Sequence, residues 1–386
     1  MPVRNVFAGN VDRYEILAAD GTLDESLAAD TRDVLTDDKL KTLYEEMLVS
    51  RELDDAAFRL QRSGRMGTYP QSKGQEAASL GAAVALRKGH DHVVPAYREN
   101  AGLFHLGLPM HQVLLHWMGD ERGNQIDPKL RISPTCVAIG AQCSHAAGIG
   151  WATRLENQKT GGDRVVMCFF GDGATSEGAF HDGLNFAAVT DAPVVFVCMN
   201  NGWAISVPAR KQTKAQTFAQ KALAYGMPAW QADGNDLFAS YKASRDAVNH
   251  AKAGKGPAFV ELTTYRLADH TTVDDARRYR TEEEHEAGIA SDPLVRTRKW
   301  LESKQLWNDD AESAAKAKAK RIVKEIVSAA IEIEPSDSNV IFEHQFAEML
   351  PELERQRDTR HTHGIGQEPK QDHLKETQLS DMVEAR

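Results

Sequence analysis

Two positions carry the clearest chemistry in this chain: Asp172, set between Gly171 and Gly173, and Asn201, the second of an Asn200-Asn201 pair separated from Gly173 by twenty-six residues. Hydrophobic runs at 165–170 and 193–199 have the length and the β-branched and aromatic content of buried parallel strands. Between them lie the Gly-Asp-Gly turn and a helix-length segment at 177–189, so the stretch reads as a βαβ unit. The free amides at a helix N-terminus attract anions. Ser176 stands where a dinucleotide turn requires its third Gly, so that fingerprint fails. A bare Asp at 4 Å from a pyrophosphate would repel it by ~4 kcal/mol at an effective dielectric of 20. A hard cation between the two resolves the conflict, because Mg²⁺ takes one or two protein oxygens together with phosphate oxygens. Asn201 adds a neutral oxygen from the same carboxyl-end edge of the sheet. An ordinary turn and an ordinary strand cap explain each half alone, but not both halves joined by a helix and a strand.

Other elements must bring further groups to that edge. A short strand near 92–94 leads into Tyr97-Arg98, where a guanidinium can pair two-pronged with phosphate and a phenol adds a donor. Taken alone, such an Arg is an ordinary surface residue. A further buried strand at 257–263 runs into a charged loop that holds His270 between Asp269 and two threonines. A solvated loop histidine is the ordinary reading there. Thr36 with two following Asp residues opens a helix that carries an apolar stripe as far as Gly64. Helices are also expected at 75–86, at 103–119 with a break at Pro109, from Gly140 onward, and at 213–225, 236–254 and 310–333. Residues 1–35 read as an extended arm with a strand-like word at 14–17. Residues 355–386 lose apolar content and read as a disordered tail, leaving 36–354 as the α/β domain.

The 386 residues contain 41% hydrophobic side chains, enough for a large core. A net charge of -10 leaves no basic excess for nucleic acid. Cys136, Cys143, Cys168 and Cys198 form no CxxC, and reduced thiols are expected. The segment MPVRNVFAGNVDRYEIL has no apolar core of a signal peptide, and no apolar run of 18 residues exists, so a cytoplasmic enzyme off the membrane is expected.

Gly-Asp-Gly, twenty-six residues and Asn-Asn together resemble the thiamine-diphosphate signature. The words YPQSKGQEA, YRE, IGAQ and YRLADHTTVDD extend the likeness over roughly 35–357, to the alpha subunit of the 2-oxo acid dehydrogenase decarboxylating component, nearest its bacterial pyruvate dehydrogenase type. That resemblance implies a doubly wound parallel α/β sheet with helices on both faces, and thiamine diphosphate with Mg²⁺ as cofactors. It implies Asp172, Asn201 and the backbone carbonyl of Trp203 as metal ligands; the family usually has Tyr at the last position, a departure a backbone contact tolerates. Tyr97, Arg98, Gly173, Ala174 and His270 would hold the diphosphate. Backbone groups of Val137 and Ile139 would face the aminopyrimidine, and Tyr69 and Gln75 would line the active-site mouth. His270 would be catalytic, handling protons near neutral pH. Met199 stands where animal branched-chain relatives carry a phosphate-binding Arg, so that contact is lost here. Thr271 matches the position of a kinase-target serine in animal relatives, without sign of such control here.

Thiamine enzymes use a carboxylate from a second, pyrimidine-binding domain, and this chain has only one such sheet. The resemblance therefore implies a beta subunit in an alpha2-beta2 heterotetramer, acting on a small 2-oxo acid and on the lipoyl domain of a dihydrolipoyl acyltransferase. Pyruvate dehydrogenase is the leading reading. Branched-chain 2-oxo acid dehydrogenase, acetoin dehydrogenase and a non-catalytic binding protein of the same fold remain as alternatives.

Overall fold

The computed structural model describes residues 7–362 except 335, 338 and 344. The chain divides into two compact units, Met1–Val323 and Lys324–Arg386. The first is built on six parallel strands: β1 (Asp12–Tyr14), β2 (His92–Val94), β3 (Val166–Gly171), β4 (Val194–Asn200), β7 (Ala229–Asp233) and β8 (Ala258–Thr263). Their order across the sheet is β1-β7-β8-β4-β3-β2. Two short strands, β5 (Trp203–Ala204) and β6 (Val207–Pro208), form a separate hairpin directly after β4. This is the doubly wound α/β sheet expected from the sequence.

Strands β3 and β4 are apolar on both faces because helices cover both. Val166, Cys168 and Phe170 alternate with Met167 and Phe169, and all are buried. The first set joins Val194, Phe196 and Cys198 in one core with the helices Ala141–Thr160 and Gly178–Val189. These two helices cross closely: a Cβ at Gly183 would stand 2.5 Å from the Cys143 carbonyl carbon, so only Gly fits. The opposite face carries the helices Glu76–Val84 and Leu237–Lys252, which meet at Gly81, where a Cβ would lie 2.6 Å from Ser240 Cβ. Asp236 caps the second of these by accepting from the amides of Phe238 and Ala239, and its other oxygen accepts from those of Ile16 and Leu17. One buried carboxylate thus ties the N-terminal segment, including β1, to the sheet.

Helix Asp37–Arg62 begins where expected, with Thr36 Oγ1 accepting from Lys39 N. The expected helix at 213–225 is different. The helices Ala209–Gln212 and Gln220–Leu223 flank an irregular stretch. Thr213 Oγ1 takes the Ala215 amide and Glu261 Oε2 takes that of Ala219, so side chains hold backbone donors that a helix would have used. The four cysteines are free thiols. In the second unit, the helix Pro351–Thr362 includes residues 355–362 of the expected tail, with an Arg357–Glu354 ion pair at 3.7 Å along it. Residues 363–386 of that tail lie outside the described residues. No helix among the described residues is long and apolar enough to cross a membrane.

Candidate active site

The carboxyl ends of β2, β3, β4 and β8 open onto a cavity of about 240 Å³. Tyr97, Arg98, Ile139, Asp172, Gly173, Ala174, Asn201, Trp203 and His270 line it, and so does Gln75. Val137 lies on the exposed approach to the helix Ala141–Thr160 and does not line the cavity. Tyr69 is buried behind it, donating its hydroxyl to Asp54 at 3.1 Å.

One side of the cavity is acidic. After β3 the chain makes a 3-10 turn, Asp172–Ser176, before the helix Gly178–Val189. Thr175 Oγ1 donates to the Asp172 carbonyl, and Lys221 Nζ donates to the Thr175 carbonyl and Oγ1, each at 2.9 Å. The Asp172 carboxylate is only 1% exposed, and burial pushes its pKa up from the usual carboxylate value. Gln212 Nε2 donates to Asp172 Oδ2 at 2.7 Å. Asn201 gives its Nδ2 to Gln75 Oε1 at 3.2 Å and accepts the Trp203 amide on Oδ1 at 3.2 Å. A buried carboxylate without an ion-pair partner is costly, and this one shares its cavity with Asn201 and Trp203, which can add an amide and a backbone carbonyl oxygen. This is a hard-oxygen donor set that fits a divalent cation. Among the described residues no three His, Cys, Asp or Glu side chains are grouped so as to hold a metal ion, so such a cation would depend on anionic oxygens from its ligand.

The other side is basic. Arg98, 7% exposed, donates to the Gln71 carbonyl and, through Nη2, to the His270 carbonyl at 2.6 Å and to His270 Nδ1 at 3.0 Å. Arg266 is fully buried and lines the same cavity. Its Nη1 lies 3.2 Å from His270 Nδ1, and its Nη2 donates to Tyr279 Oη at 2.9 Å. Burial and the neighbouring Arg98 and Arg280 hold the Arg266 pKa down to about 10. Burial, then Arg98 and Arg266, hold His270 down to about 3, so the ring is neutral here. A guanidinium only donates, so Nδ1 is the acceptor and the ring hydrogen sits on Nε2. The sequence predicts a near-neutral His270; burial, and then the two guanidiniums, move it well below that.

The His270 loop is held by polar bonds rather than by a core. Asp274 Oδ2 accepts from His270 N at 2.9 Å and from the Tyr279 hydroxyl. Arg280 lies over the rings of Tyr265, Trp203 and Tyr279 at 4.8 Å, 5.7 Å and 5.9 Å. Arg266 and Glu99 are among the cavity residues that sequence reasoning missed, with Gln142 and Glu177. Glu99 accepts from the amides of Ala96 and Arg98 at 3.1 Å, fixing the Tyr97-Arg98 turn, and burial pushes it up to about 7.

With acid at one wall and arginines at the other, the cavity can hold a cation bound to an anion. The profile of the family described as "Dehydrogenase E1 component" matches residues 44–337. The chain is 41% identical over 324 residues to a 3-methyl-2-oxobutanoate dehydrogenase subunit alpha of Mycobacterium tuberculosis, covering 84% of this chain and 87% of that one. It is 39% identical over 356 residues to a pyruvate dehydrogenase E1 component subunit alpha of Staphylococcus aureus, covering 92% and 94%.

Proposed function

Because this chain belongs to the dehydrogenase E1 component family, as the alpha subunit of a 2-oxo acid dehydrogenase that works with a beta subunit, we propose that it binds thiamine diphosphate with Mg²⁺ and takes part in oxidative decarboxylation of pyruvate, the acetyl group passing to the lipoyl arm of an acyltransferase. The observation that carries this reading is that one cavity is lined both by Asp172 and Asn201 and by Arg98, Arg266 and His270. Asp172, the Asn201 amide oxygen and the Trp203 carbonyl would hold Mg²⁺. Tyr97, Arg98, Arg266, His270 and the backbone at Gly173 and Ala174 would hold the diphosphate, and the backbone of Ile139, which lines the cavity where Val137 does not, would meet the aminopyrimidine. When bound, thiamine diphosphate supplies the carbon nucleophile and the electron sink that let CO₂ leave. Arg98 and Arg266 fix the ring of His270, which keeps its hydrogen on Nε2 as a donor toward a reacting oxygen. The buried walls exclude water and strengthen each of these interactions.

The beta subunit has a surface to meet. Trp151, Leu155, Phe186 and Val189 project from the helices Ala141–Thr160 and Gly178–Val189, the Trp151 and Phe186 rings 5.7 Å apart, and Val189 is 76% exposed. Such a face is the kind that an obligate partner covers, and we place the beta subunit of an alpha2-beta2 assembly there, completing the ring side of the site.

Calorimetric titration of thiamine diphosphate with Mg²⁺ into the assembled alpha–beta protein tests the reading: Asp172→Ala abolishes binding, and undiminished binding by that variant overturns it. A second reading takes 3-methyl-2-oxobutanoate as substrate, favoured by the name of the Mycobacterium relative. The ratio of kcat/KM for the two 2-oxo acids, with the beta subunit present, decides between them.

A further inference from the structure

Each side-chain ligand proposed for the cation is gripped by a glutamine from a different element. Gln212 ends the helix Ala209–Gln212, beyond the β5–β6 hairpin, and donates Nε2 to Asp172 Oδ2 at 2.7 Å. Gln75 precedes the helix Glu76–Val84 and accepts Asn201 Nδ2 on Oε1 at 3.2 Å. Their orientations follow from chemistry. An ionised carboxylate only accepts, so Gln212 must offer it nitrogen.

The Asn201 amide can present either end to the cavity, and only its oxygen binds a cation. Its nitrogen is bound by Gln75 and its oxygen accepts the Trp203 amide, which settles the choice. Asp172 has a broad side-chain torsion about its carboxylate, and Gln212 fixes the plane by holding one oxygen. Gln75 is 1% exposed, lines the cavity, and its Nε2 is buried with no hydrogen-bond partner among the described residues. An unpaired buried donor is costly unless a ligand oxygen meets it, and a phosphate oxygen or a cation-bound water is the chemistry that would.

We infer that Gln75 and Gln212 are positioning residues for the cation: they set the Asn201 oxygen and the Asp172 carboxylate in the geometry the ion needs, and Gln75 adds a donor toward the anion the ion carries. This rests on the reading given under Proposed function. Outer partners of metal ligands typically control affinity by about 10- to 100-fold.

The test uses the assembled alpha–beta protein with saturating thiamine diphosphate and Mn²⁺ as probe, followed by electron paramagnetic resonance. Gln75→Met and Gln212→Met keep side-chain volume but lose the hydrogen bonds. Each is expected to weaken Mn²⁺ binding by about 10- to 100-fold and to alter the spectrum of the bound ion, with the metal-free melting temperature unchanged. Mn²⁺ affinity within about twofold of wild type in either variant, a factor far below that expectation, overturns the paired role. An unchanged bound-ion spectrum does the same. If a Met variant fails to assemble, the Ala variant at the same position is measured against the same criteria. Absence of thiamine-dependent Mn²⁺ binding by the wild type is a different failure, because it removes the proposed function itself and this inference with it.

Discussion

The Asp172 turn and the His270 loop face each other across one cavity, yet they are held by opposite physics. The turn hangs from β3 and β4, where the Phe170 ring meets those of Phe180, Phe196 and Phe259 at 5.7–6.5 Å. The loop has almost no core of its own; Asp274, Tyr279, Arg266 and Arg280 hold it through charged and polar bonds. Packing is insensitive to salt and pH, whereas a charge network responds to both. The acid wall should therefore be a rigid platform, and the basic wall should tighten when an anion neutralises its arginines.

The most severe test of this contrast is Phe170→Ala. It should cost about 3–5 kcal/mol, read as a lower urea midpoint, by the same amount at low and high salt. Asp274→Asn should remove about 1.5–3 kcal/mol from the loop alone. Hydrogen exchange would show faster opening at 264–280 while the sheet stays protected, and the difference would shrink as salt rises. Equal salt dependence of the two variants would break the comparison.

Two titrations sharpen it further, with opposite signs. Burial raises Glu99 from 4.5 to about 7, so the folded state holds this proton longer than the unfolded chain does. Stability is lost as pH rises from 4.5 through 7, and Glu99→Gln should gain on wild type over that window, by on the order of 1–3 kcal/mol above pH 7. His270 is lowered from 6.5 to about 3 by burial and then by Arg98 and Arg266. Its contribution is present above pH 6.5 and is lost as pH falls toward 3. His270→Gln should flatten that acid decline, a smaller effect because the ring is only part-buried. Denaturant midpoints measured across pH 4–8 check both.

The sequence showed the packed wall far more readily than the charged one. Apolar runs and the Gly-Asp-Gly turn announce β3, β4 and Asp172 because burial and backbone geometry restrict residue type locally. Arg98 was visible only through its neighbours and a resemblance. Arg266 was missed because it sits three residues beyond β8 in a stretch that reads as charged loop; its complete burial depends on Tyr279 and His270, which come later in the chain. Strand β7 was missed for a related reason: Ala229–Asp233 mixes Trp, Gln and Asp, and is strand because β8 and β1 flank it. Thr213 and Glu261 show the converse, with side chains unwinding a helix that propensity alone would form.

Strand β1 has a consequence for how the protein is made. It pairs with β7 from Asp12 opposite Trp230 to Tyr14 opposite Ala232, and Arg13 bonds Gln231 across 218 positions of sequence. At translation speeds of roughly 5–20 residues per second, that segment leaves the ribosome about 10–40 s before its partner exists. Ile16 and Leu17, buried in the finished protein, must wait through that interval without Asp236 to receive their amides. One edge of the sheet is therefore completed by a segment made long before the strand it pairs with, and a growing chain halted before residue 229 keeps that segment unmatched.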